Sequence, residues 1–184
     1  KWILYDIGGV LEIVDDHTWP QQLEQAWSDR LGLPVDVFRA RLDGADLPDT
    51  TLQSGVATEY WQKLGAALEI EDAEVDSMRA QLWDAYCGEA NTELLEHARS
   101  LKGRAGLAIL SNSGEGAREE EERRFRFSEV FIDRGHRYVE AGADVLFIDD
   151  NEGPMRGAEN CGIRAVLHRD NATTIAAIEA FLAE

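Results

Sequence analysis

Lys1-Trp2-Ile3-Leu4-Tyr5-Asp6-Ile7-Gly8-Gly9-Val10-Leu11-Glu12 is the stretch on which the fold turns. A short apolar run ends in one carboxylate, and two glycines follow at once. The run is β-prone and too short for a helix, so it predicts a buried strand. The paired glycines mark a place where the backbone turns sharply or lets another group come close. An acid at the C-terminal end of a buried strand stands where open α/β sheets collect their ligands. Taken alone, the stretch suits a solvated strand-end Asp equally well, so the decision rests on the other strands.

From Glu12 to about Ser100 strand-like runs vanish and helical spacing takes over. Gln21 to Leu31 suits an amphipathic helix closed by Gly32. Val35, Phe38 and Leu42 follow Pro34 at helical intervals, Tyr60, Trp61, Leu64 and Leu68 share one face, and Val75, Met78, Leu82 and Tyr86 share another. Thr92 to Ser100 is a further short helix. Trp19, Trp27, Trp61 and Trp83 lie in this region, where an aromatic stripe points to helix packing before a cofactor box. Strands return at Leu107-Ala108-Ile109-Leu110, running into Ser111-Asn112-Ser113-Gly114-Glu115-Gly116. A charged helix with Glu119–Arg123 and Glu120–Arg124 pairs follows, read as a solvated face, then a β-like Val130-Phe131-Ile132. Val145-Leu146-Phe147-Ile148 ends in Asp149-Asp150, Arg164 to His168 is a last strand, and a closing helix starts near Asn171. Strands alternating with helices predict a parallel, doubly wound sheet. Asp6, Ser111 and the Asp149-Asp150 pair then fall at the same end of that sheet, and the coincidence argues for a site.

The totals narrow the function. The chain has 184 residues, a net charge of −18 and a pI near 4.5. Such a surface repels phosphate backbones and anionic membranes, which excludes nucleic acid and lipid surfaces as expected partners. Small anionic substrates stay open, because a metal or a helix terminus reverses the field locally. Cys87 and Cys161 have no metal-type spacing and suggest packed thiols of a reducing compartment. No apolar run approaches membrane-spanning length and no signal peptide is visible, so the expected location is the cytoplasm. Lys1 already stands within a strand, and a few leading residues are expected before it.

A carboxylate after the first strand and two more after a later one suit a single hard divalent cation such as Mg²⁺. Asp6 is placed to bind the ion with one oxygen and attack phosphorus with the other, giving an aspartyl-phosphate. The ion would offset repulsion between nucleophile and anionic target. Ser111 and the backbone N–H groups from Asn112 to Gly116 would cradle phosphate oxygens, aided by the helix behind them.

Asp6-Ile7-Gly8-Gly9-Val10-Leu11, Ile109-Leu110-Ser111-Asn112 and Phe147-Ile148-Asp149-Asp150-Asn151, with Gly157-Ala158 and Gly162-Ile163 beyond, resemble the haloacid dehalogenase-like hydrolase superfamily. The likeness is to its phosphatase-like branch with a helical cap inserted after the first motif. It implies an α/β chain: a Rossmann-like doubly wound core over 1–12 and 96–184, and an all-helical cap over 13–95. It also implies a Mg²⁺-dependent phosphatase acting on a small phosphorylated metabolite. Carried over residue by residue, Asp6 matches the nucleophile and a metal ligand, and Gly8 the position whose carbonyl binds metal. Ser111 matches the phosphate-binding hydroxyl, Asn112 its neighbour, with Gly9 on the substrate side. Asp150 matches the metal-binding acid, with Asp149 beside it.

Two departures stand out. The family's phosphatases carry a second Asp two residues after the nucleophile, as acid for the leaving group; here that place is Gly8. His17 and Glu12 are the candidates to replace it. The family also places a Lys between the serine motif and the acid pair, and Ile132 to Asp144 contains none. That run is short for a crossover; either the loop is shortened and the cation lost, or a stretch of chain is absent near Arg137-Tyr138. Arg134, His136 and Arg137 are the nearby substitutes. A weakened or inactive descendant binding a ligand or protein is therefore a second reading. Dehalogenation by the same Asp is a third, which the acid pair argues against because displacing halide from carbon needs no Mg²⁺.

Overall fold

The computed structural model describes residues 1–14, 18–131 and 142–184. In chain order its elements are β1 (Trp2–Tyr5), β2 (Glu12–Ile13), α1 (Trp19–Arg30), α2 (Val35–Asp43), α3 (Ala57–Leu68), α4 (Asp72–Cys87), β3 (Glu89–Ala90), α5 (Thr92–Ser100), β4 (Gly106–Ile109), α6 (Ala117–Phe125), β5 (Val145–Asp149), α7 (Glu152–Asn160), β6 (Arg164–Leu167) and α8 (Asn171–Ala183). By its internal contacts the chain divides into two compact units. One comprises Lys1–Val14, Glu89–Ser111 and Glu122–Glu184; the other comprises Asp15–Gly88 and Asn112–Glu121.

The first unit is an α/β sheet unit. Among the described residues its main sheet has four strands, all parallel, in the order β4-β1-β5-β6. From β1 the chain moves one way to β4 and then back past β1 to β5 and β6. Right-handed crossovers therefore put α5 and α7 on opposite faces, which makes the sheet doubly wound. α8 packs against α5 and against β5 and β6. Along β1, Ile3 and Tyr5 are fully buried and meet Leu94, Leu95, Ala98, Ile178 and Phe181 from α5 and α8. The intervening Trp2 and Leu4 face the other way, as the period of two requires. β5 is buried at every position, as expected of a central parallel strand covered on both faces. The Tyr5 ring packs edge-on against Phe131, and its buried hydroxyl has no hydrogen-bond partner among the described residues. Burial accordingly drives the phenol pKa well above its usual value.

The second unit is helical. α1 to α4 enclose Trp27, Phe38, Trp61, Leu64, Leu68, Val75 and Met78, so those two tryptophans are core residues, as the aromatic spacing predicts. Trp19 and Trp83 meet Tyr86 edge to face. Gly32, closing α1, has φ +65°. The sequence places the helical segment over 13–95, whereas the division by contacts runs from Asp15 to Gly88 and adds Asn112–Glu121. The physical reason is a short antiparallel ribbon pairing Glu12 with Ala90 and Ile13 with Glu89. Asn91 reinforces it: its backbone N–H donates to Leu11 O at 2.8 Å and its Nδ2 to Val10 O at 2.8 Å.

Three further expectations change. Val130 and Phe131 form no strand; a 3-10 turn at Phe127–Glu129 precedes them, and both side chains enter the sheet unit's core. Within the charged α6, Glu121 is buried at 3% exposure. Cys87 is packed, but Cys161 is exposed. Among the described residues no helix is long and apolar enough to cross a membrane.

Candidate functional site

β1 and β5 are neighbours, and their register sets Tyr5 beside Ile148. One step further, Asp6 donates its backbone N–H to Ile148 O at 2.9 Å, so Asp6 and Asp149 leave adjacent strands side by side. The chain reverses direction across the sheet between these two strands, and open α/β sheets form their ligand crevice at such a switch point. Asp150 follows immediately. Asp6, Asp149 and Asp150 each offer a carboxylate oxygen within 4.8 Å of the others.

The three acids are held differently. Ser111, just beyond β4, hydrogen-bonds the Asp6 carboxylate, as does the backbone N–H of Ile7. Asp149 is 2% exposed, and its Oδ1 accepts the Asn151 N–H at 2.7 Å. Asp150 packs against Gly9: a Cβ on Gly9 would lie 2.2 Å from Asp150 Oδ2. With φ at +69° as well, position 9 accepts glycine alone without strain. The turn is tightened by Ile7 O, which accepts from the N–H groups of Val10, Leu11 and Glu12 at 3.1, 2.8 and 2.9 Å.

Electrostatics make this an arrangement that calls for a cation. Burial, and then repulsion from Asp149 and Asp150, raise the Asp6 pKa to about 6, against the lowering by Ser111 and Ile7. Asp149 is also raised, by burial and by Asp150. None of the three makes a salt bridge among the described residues. Two unit charges 4.8 Å apart repel by about 3 kcal/mol at an effective dielectric near 20. A set of hard carboxylate oxygens with no salt bridge among the described residues fits a small divalent ion.

The other predicted positions fall as follows. Gly8 bridges to Glu12 and carries no side chain for an acid. Glu12, a candidate for that role, is 1% exposed. Asn112 belongs by its contacts to the helical unit, although Ser111 belongs to the sheet unit. The amide cradle from Asn112 to Gly116 is smaller than expected, because the Glu115 N–H is taken by Thr50 O at 2.9 Å. His17, Arg134, His136, Arg137 and the place for the missing Lys lie outside the described residues.

Sequence reasoning passed over two features. Glu115 Oε1 accepts from the Gly55 N–H at 2.7 Å, and its Oε2 accepts from Val56 and Ala57 at 2.8 and 2.7 Å. It thereby caps α3, whose N-cap residue Val56 offers no side-chain bond. The missing local cap at Val56 was the available signal. Beyond β6, His168 and Arg169 line a cavity next to Gly9 and Asp150; no spacing in the chain announces it.

No protein-family model matches the sequence, and no curated protein matches it. Solved structures do. A HAD family enzyme from Bacteroides thetaiotaomicron aligns with a TM-score of 0.66 at 17% identity, covering 92% of this chain and 93% of that one. The same enzyme has been crystallised with magnesium and inorganic phosphate (TM-score 0.60, 16% identity, 92% and 94% covered). A predicted HAD-like family hydrolase from Porphyromonas gingivalis aligns with a TM-score of 0.61 at 19% identity over 100% and 98% of the two chains. L-2-haloacid dehalogenase from Xanthobacter autotrophicus, with chloropropionic acid covalently bound, aligns at 0.52 and 14% identity over 91% and 76%. The chain shares the fold of these proteins.

Proposed function

We propose that this chain, which has the haloacid dehalogenase-like fold, is a Mg²⁺-dependent hydrolase that removes phosphate from a small phosphorylated metabolite through Asp6. The observation that carries the reading is the convergence of Asp6, Asp149 and Asp150 within 4.8 Å with Ser111 on the Asp6 carboxylate. Magnesium in the structurally similar B. thetaiotaomicron enzyme supports the choice of ion. Asp6, Asp149, Asp150 and the Gly8 carbonyl would hold it. When bound, the ion supplies positive charge that offsets repulsion between the carboxylates and a phosphoryl group.

The chain's own groups do the rest. Ser111 and the Ile7 N–H fix the Asp6 carboxylate, leaving an oxygen to attack phosphorus. The P–O bond to the substrate's alcohol breaks as the Asp6–phosphorus bond forms, and the alcohol oxygen takes a proton from solvent water. Water then attacks phosphorus, releasing phosphate and restoring the carboxylate. The Ser111 hydroxyl, together with Asn112 and the open backbone at Gly9, is assigned to the phosphate oxygens. Gly8 cannot protonate the leaving alcohol, and a missing general acid costs roughly 10²–10⁴-fold in rate unless replaced. The helical unit is assigned the role of a cap that chooses the substrate and excludes water.

The test is turnover of a panel of phosphate esters with Mg²⁺ and then with chelator. Metal-dependent phosphate release that Asp6→Asn abolishes is the expected result. Release that persists in Asp6→Asn or in chelator rules the reading out. The side-chain gap at Gly8 favours one alternative, a ligand-binding module without catalysis, for which silence across the panel would speak.

A further inference from the structure

A cavity of about 670 Å³ opens beside the acid cluster, lined wholly by residues of the sheet unit. Gly9 and Asp150 belong to both the cavity and the site. His168 and Arg169 follow β6, and Asn171 and Ala172 open α8. The volume is ordinary for a small-molecule site.

Most polar groups around this cavity are already satisfied. Asp170 caps α8, accepting the Thr173 N–H and Oγ1–H at 2.8 Å each. Glu93 Oε2 accepts from Asn171 Nδ2 at 2.8 Å, and the Asn91 and Asn171 amides bond each other at 2.7 and 2.9 Å. Two groups differ. Arg169 is exposed and makes no hydrogen bond or ion pair among the described residues. His168 is 9% exposed, its Nδ1 lies 2.8 Å from Thr174 Oγ1, and its Nε2 has no partner among the described residues. A guanidinium presents a planar fork of donors matched to a carboxylate, and the second ring nitrogen of His168 has one hydrogen bond to offer a ligand.

Charge decides between possible occupants. An ammonium group would meet Arg169. A second phosphate would bring two negative charges among Asp150, Asp170 and Glu93, on a chain of net charge −18. A carboxylate brings one charge and fits the fork. We infer that this cavity receives the alcohol part of the substrate and that Arg169 selects a carboxylate on it, so that the substrate class is a phosphorylated hydroxy acid. The inference rests on the phosphatase reading for where the phosphoryl group lies; the carboxylate contact is separable from it.

Calorimetry on the Asp6→Asn protein with Mg²⁺ tests it, using inorganic phosphate, 2-phosphoglycolate, glycerol 3-phosphate and O-phosphoethanolamine. Phosphoglycolate should bind about tenfold or more tighter than glycerol 3-phosphate, as charge-assisted hydrogen bonds allow, with phosphoethanolamine weakest. Arg169→Gln should erase that preference, and Arg169→Lys should keep part of it. Equal affinities across the esters, or a preference unchanged in Arg169→Gln, overturn the inference. Phosphate binding without carboxylate preference would do so while leaving the phosphatase reading intact. The phosphatase reading stands or falls on turnover by the parent protein; where phosphate and its esters fail to bind the Asp6→Asn protein, free glycolate followed by NMR shifts reads the cavity alone. Glycolate binding weakened by Arg169→Gln then sustains the inference, and no binding, or binding indifferent to the substitution, overturns it.

Discussion

Asp6 carries an energetic cost that its environment makes measurable. Its folded pKa, about 6, lies above the ordinary 3.8, so the folded chain holds more protons than the unfolded chain between those values. The resulting stability is present at the acid end and is lost as pH rises from about 4 through 6. At pH 7 the ionised group costs up to about 3 kcal/mol, at ~1.4 kcal/mol per pKa unit. In chelator at pH 7.5, Asp6→Asn should therefore raise stability by about 1–3 kcal/mol in urea unfolding, and the gain should vanish near pH 4. Mg²⁺ should narrow the gap by stabilising the parent protein. A variant no more stable than the parent at pH 7.5 would contradict this account of the cluster. Gly9 fails for a different reason. Gly9→Ala forces a Cβ to 2.2 Å from Asp150 Oδ2 at φ +69°, which should cost about 1–3 kcal/mol and weaken Mg²⁺ binding in a direct titration. The acids were legible as carboxylates closing apolar runs, one after Tyr5 and a pair after Ile148. The need for glycine at 9 was legible only as a turn, because the Asp150 contact joins residues far apart in sequence.

At the scale of elements, α3 depends on a residue outside itself. Glu115 accepts three backbone N–H groups at the start of this helix, and these bonds hold its carboxyl below the usual range. A lowered folded pKa gives stability above the unfolded value of 4.5 that is lost as pH falls through the folded one. Glu115→Gln should lower the thermal midpoint at pH 7, and the difference should shrink at pH 3 as the parent carboxyl protonates. Equal differences at both pH values would mean that charge is not the cause. The helices themselves were legible from spacing: Tyr60, Trp61, Leu64 and Leu68 share a face because the period of 3.6 leaves a local record. Val130 and Phe131 misled because a short apolar run fits a strand or a buried turn equally well.

At the scale of the molecule, two buried clusters rather than one hold the chain among the described residues. Met78, fully buried in the helical unit, should cost about 2–5 kcal/mol when replaced by Ala. Hydrogen exchange should then quicken at amides of α1 to α4 and leave the slow amides of β1 and β5 in place. Uniform quickening would show that the units unfold as one.

The sequence by itself determined the helices, the four strands of the parallel sheet, their order along the chain and the acids that close β1 and β5, because strand and helix periods and strand-end carboxylates are local properties. Only the tertiary structure decided that β1 lies next to β5, which sets Asp6 beside Asp149 where the winding reverses. It likewise decided that Arg169 borders the cavity at Gly9 and that Glu115 caps a helix some sixty positions earlier in the chain. Those pairings follow from strand order and packing, and residues that meet only after folding impose no period on the chain between them.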